Sequence, residues 1–143
     1  MVRNILTVVA AFVLGGIAVF SFEALGHRIY PIPEDLDTTN YEQLAAYVKA
    51  APAGALAFVL IAQSAGSIVG GAVCGFFGRT SSTLLSLIYG ILALIMAGLN
   101  LILIPHPLWM ILASLALPIP LSIAAGKITS GFSTKPVPTN QQA

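Results

Sequence analysis

Four stretches of this chain carry almost nothing but hydrocarbon side chains: residues 5–25, 53–78, 81–104 and 107–126. A helix rises about 1.5 Å per residue, so crossing a bilayer's hydrocarbon takes about 20 residues. Inside lipid every backbone polar group needs a partner within the protein, which leaves helices or a closed barrel. Barrel strands alternate apolar and polar residues over about ten positions, and these runs show no such alternation. The pattern predicts an all-α integral membrane protein with four transmembrane helices. Arg3 followed by an apolar run resembles a secretory signal, but no A-x-A-like site follows it. The first run therefore reads as a retained helix.

The breaks between the runs set the topology. Residues 78–81 and 105–107 are too short to join anything but antiparallel neighbours, which predicts an up-down four-helix bundle. The long break, residues 26–52, holds the proline-set turn "PIPEDLDTTN". Thr39-x-x-Glu42 has the spacing of a capping box. From residue 40 to 51, Tyr41, Leu44 and Val48 share one helical face, while Glu42, Ala46 and Lys49 share another. A short amphipathic helix on the membrane surface is expected there, with Pro52 at the first turn of the next span. Residues 1–128 form the transmembrane domain, and the polar, proline-bearing segment 129–143 reads as a flexible tail. No internal repeat supports an inverted-repeat transporter.

Composition strengthens the membrane reading. Hydrophobic residues make up 57% and charged residues 8%, against roughly 25% charged in soluble proteins. The net charge of +1 gives nucleic acid nothing to bind. The single cysteine, Cys74, has no disulfide partner in the chain. Arg3, Arg79, Lys127 and Lys135 flank one side of the spans. Arg28, Lys49 and all five acidic residues flank the other. Excess Lys and Arg marks the cytoplasmic face, so both termini are expected in the cytoplasm of a multi-pass plasma (inner) membrane protein. Tyr30, Tyr41, Tyr47 and Trp109 would form the outer aromatic belt.

Candidate functional residues are few. In the second span Ala62, Gly66, Gly70 and Cys74 form one i,i+4 ridge, and Ser67, Gly71 and Gly75 continue the ridge beside it, after Gln63. Small residues at this spacing let backbones approach closely, either inside one chain or against a second copy or a membrane protein partner. Gln63, Tyr89 and Asn100 are polar side chains within apolar runs, expected to hydrogen-bond between helices. Pro118 and Pro120 kink the fourth span by removing two amides; the Ser114 hydroxyl is placed to re-satisfy a freed carbonyl. Glu23 and His27 lie one helical turn apart on a stripe with Gly16 and Phe20, where Gly16 suggests contact with another helix. With His106 on the same outer side, the pair offers oxygen and nitrogen ligands to a divalent metal, or acts as an interfacial brace. No other cofactor is called for, and no nucleophile sits in a catalytic setting. The leading expectation is a non-catalytic membrane subunit acting through helix–helix contacts in lipid. The alternatives are an oligomeric transporter or channel, and an outer-face metal- or ligand-binding protein using Glu23, His27 and His106.

Overall fold

The structure, a computed structural model, describes residues 2–37, 39–78 and 81–132. Arg79, Lys135 and most of the 129–143 tail lie outside the described residues. All regular structure among the described residues is helical: α1 (Val2–Ile29), α2 (Tyr41–Ala50), α3 (Ala53–Phe77), α4 (Ser82–Leu103), α5 (Leu108–Ala116) and α6 (Pro118–Ser130). Four stretches are long and apolar enough to cross a membrane: α1, α3, α4 and the α5–α6 pair over Leu108–Ser130. That is the make-up of a multi-pass membrane protein.

The first helix runs past the expected limit at residue 25. Its 28 residues span about 42 Å, more than the roughly 30 Å of bilayer hydrocarbon. Glu23 and His27 therefore sit on continuous helix. The Tyr30 amide closes the last turn on the Gly26 carbonyl at 2.8 Å, and Pro31, having no amide, ends the ladder.

Helix α2 starts differently from the capping-box expectation. Its cap is Asn40, whose Oδ1 accepts from the amides of Glu42 (3.0 Å) and Gln43 (3.3 Å). The Thr39 hydroxyl is engaged elsewhere, donating to Asp37 Oδ1 at 2.6 Å. Asn and Ser cap as well as or better than Thr, so the neighbour prevails. Val48 buries the apolar side of α2 against Leu56 and Met110, while Tyr41 stays exposed.

Helix α3 is the centre of the packing, touching α1, α4 and α6, with α6 also against α4. The reason lies in its small residues. A methyl on Gly66 would strike Val19 of α1, on Gly70 the ring of Tyr89 of α4, and on Gly71 the backbone of Ser122 of α6. Gly75 lies against Gly126 and Thr129 of α6. Ala62, Gly66, Ser67, Gly70, Gly71, Cys74 and Gly75 are all buried within the one chain.

Close approach brings hydroxyls to backbone carbonyls. The Tyr89 hydroxyl donates to Gly66 O at 2.9 Å, Ser122 to Ser86 O at 3.0 Å, and Thr129 to Ala72 O at 2.9 Å. Such bonds average about 0.6 kcal/mol in a membrane, so dispersion between tightly packed backbones carries most of the cohesion.

The break between α5 and α6 falls at Leu117, which itself keeps helical angles of φ −83° and ψ −36°. Its amide still reaches Ala113 O at 3.1 Å. Contrary to expectation, Ser114 does not relieve the break: its buried Oγ has no hydrogen-bond partner among the described residues.

Candidate functional site

The one-sided packing of α1 on α3 leaves a cleft of about 340 Å³ between α1, α3 and α4, with Pro118 of α6 also lining it. Helical periodicity builds its walls. Phe12, Gly16, Val19, Phe20 and Glu23 recur every three or four residues along α1, and Tyr89, Ala93, Met96, Ala97 and Asn100 do so along α4. Gln63, Gly66 and Ser67 of α3 complete the lining.

Two adjacent glycines divide the work. Gly15, not Gly16, makes the helix contact: a methyl there would meet the Tyr89 hydroxyl and approach Gly66 O at 3.0 Å. Gly16 has nothing within 4 Å of the place its Cβ would occupy. The stripe that carries Glu23 therefore faces open space instead of a neighbouring helix.

Five polar side chains line this otherwise apolar cleft: Glu23, Gln63, Ser67, Tyr89 and Asn100. The buried Gln63 Oε1 and Asn100 Oδ1 atoms have no hydrogen-bond partner among the described residues. The Tyr89 hydroxyl makes the interhelical bond expected of it. The Ser67 hydroxyl is likewise spent, donating to Gln63 O at 2.9 Å. An unsatisfied polar atom in lipid costs several kcal/mol, and Gln63 also lines a closed gap with Ser114, whose Oγ is likewise without a partner among the described residues.

A second cavity of about 210 Å³ lies at the loop end of the bundle, under α2. Glu23, His27 and His106 all line it, together with Tyr30, Tyr47 and Asn100. Glu23 and Asn100 belong to both cavities and form the partition between them. His106 Nδ1 lies 2.6 Å from Ile104 O; a carbonyl only accepts, so Nδ1 carries the hydrogen of this bond. Among the described residues no three of His, Cys, Asp or Glu are grouped so as to hold a metal ion. Glu23, His27 and His106 thus share a cavity wall without composing a coordination sphere.

Helical spacing had paired Glu23 with His27, and the two share the wall of the second cavity; the fold also sets Glu23 in one lining with Gln63 and Asn100. The stripe Gly16–Phe20–Glu23 carried that signal, because a carboxylate on an apolar stripe needs polar company on the facing helices. Ligand pockets of about 300–1,000 Å³ with apolar walls and a few convergent polar groups are the usual form of small-molecule sites, and the cleft has that form. No family model, no curated protein and no solved structure matches this chain.

Proposed function

We propose that this chain is a non-catalytic, multi-pass membrane protein that holds an amphiphilic small molecule in the cleft between α1, α3 and α4. The observation that carries the reading is an open, mainly apolar cleft that Glu23, Gln63 and Asn100 line from three helices, the Glu23 carboxyl having no hydrogen bond or ion pair among the described residues. A ligand entering from the lipid would lay its chain along Phe12, Val19 and Met96 and bring its polar end to Glu23, Gln63 and Asn100.

The arrangement we propose in the membrane is an up-down bundle with α2 lying on the outer surface. Contacts at the two ends support it. Arg3 at the start of α1 donates to Phe77 O at the end of α3 at 3.5 Å, and Thr129 near the end of α6 meets Ala72. At the other end Val48, Leu56 and Met110 cluster. With Arg3, Arg79, Lys127 and Lys135 flanking the spans on the first side and Arg28 and Lys49 on the second, the positive-inside rule favours both termini in the cytoplasm, with the plasma (inner) membrane as the host.

The test is a cleft-filling substitution. Gly16→Leu places its side chain where no atom lies within contact distance of the new Cβ, so it should fill the cleft without disturbing α1 against α3. Reconstituted in nanodiscs, the native chain should take up about one fluorescent alkyl probe and the variant none, at equal thermal stability. Equal uptake by both would refute the cleft as the site.

A second reading, a subunit held in a complex by helix–helix contact, is favoured by α1. Only 17% of its apolar window is buried, the least of the four spans. The seven small residues of α3 are used within the chain, so self-association or partner binding would run through the outer face of α1. Disulfide cross-linking between copies carrying Cys at Val9 or Val13 tests it; cross-links only at random-collision yield would remove it.

A further inference from the structure

Resting on the cleft as the binding site, we propose that its ligand is a single-chain lipophilic amine bound as the ammonium ion. The evidence is the charged group of the lining, a carboxylate without a partner among the described residues. Both hydroxyl donors of the lining are spent inside the protein, Tyr89 on Gly66 O and Ser67 on Gln63 O. The Gln63 and Asn100 amides each carry both an acceptor oxygen and donor N–H groups, and so suit either polarity. The Glu23 carboxyl in the same lining has no hydrogen bond or ion pair to any described residue. No Lys, Arg or His is among the described residues that line the cleft.

A site of this kind discriminates by charge. An alkyl carboxylate or phosphate would be repelled by Glu23. An alcohol brings one donor. A primary ammonium brings three donors and a compensating charge, and charge-assisted bonds are roughly twice as strong as neutral ones. Size narrows the class: about 340 Å³ lies at the lower end of the range of ligand pockets, which suits one alkyl chain and not a two-chain phospholipid.

The experiment is a competition series at fixed chain length. Dodecylamine, dodecanol and dodecanoate would each displace a fluorescent alkyl probe from the protein in phosphatidylcholine nanodiscs, with empty nanodiscs as the partition control. The amine should bind at least about tenfold tighter than the alcohol, the worth of one charge-assisted hydrogen bond, and dodecanoate should bind weakest. In Glu23→Gln the amine should fall to within about twofold of the alcohol, with alcohol binding unchanged. Displacement by all three with equal affinity would leave the cleft reading standing and overturn the amine. An amine preference untouched by Glu23→Gln would overturn the role given to the carboxylate. Displacement by none would remove the cleft itself.

Discussion

The Tyr89 hydroxyl donates to the Gly66 carbonyl at 2.9 Å, joining α4 to α3 beneath the point where α1 crosses at Gly15. One phenol thus closes the floor of the cleft and takes a hydroxyl donor out of its lining. Tyr89→Phe should keep the fold, lower stability by about 0.6 kcal/mol, and seldom by more than about 1.7. Reversible unfolding in mixed micelles would measure this, and a loss of several kcal/mol would mean that the bond does far more than join two helices.

The glycines separate into those that cannot be replaced and those that can. Gly71→Ala would drive a methyl into the backbone of Ser122, whereas nothing lies within 4 Å of the corresponding position at Gly98. Overpacking of this kind costs about 1–3 kcal/mol. Helix propensity favours Ala over Gly by up to about 1 kcal/mol. Gly71→Ala should therefore lower the melting temperature and Gly98→Ala hold or raise it, as thermal scans of the two variants would show.

Cys74 is fully enclosed, at 0% exposure, in the cluster with Ala11, Leu85 and Tyr89. A membrane-permeant maleimide should leave it unmodified in the folded protein and label it completely in dodecyl sulfate. Mass spectrometry reads both states, and rapid labelling of the folded chain would contradict the close packing of α3 against α1 and α4.

In the exposed loop, the side-chain and backbone hydrogen bonds from Thr39 hold the Asp37 carboxyl below its ordinary value of 3.8. Because the folded value is depressed, the order this contact lends the loop is present above pH 3.8 and fades as pH falls through the folded value. Carbon-detected NMR titration should find Asp37 titrating below 3.8, and Thr39→Ala should return it toward 3.8.

Much of the fold was legible in the hydrophobic pattern because apolar length alone decides what enters lipid. Four spans and a helix over residues 41–50 follow from it. The small-residue ridges of α3 announced close contact but not with what, since periodicity names a face and leaves its neighbour open. Gly15 and Gly16 show the same limit: adjacent glycines look alike in sequence, yet one meets Tyr89 and the other opens into the cleft. The cleft escaped sequence reading because Glu23, Gln63 and Asn100 sit on three different helices, and only the relative rotation and height of those helices bring them together.

The most direct measurement is photolabelling of the native chain in nanodiscs with a diazirine-bearing alkyl probe, the adducts located by mass spectrometry. Occupancy of the cleft requires adducts concentrated on Phe12, Phe20 and Met96 and lost in Gly16→Leu. Adducts spread evenly over outward-facing residues such as Ile5, Leu14 and Ile102, and unchanged by Gly16→Leu, would show that the cleft holds no ligand.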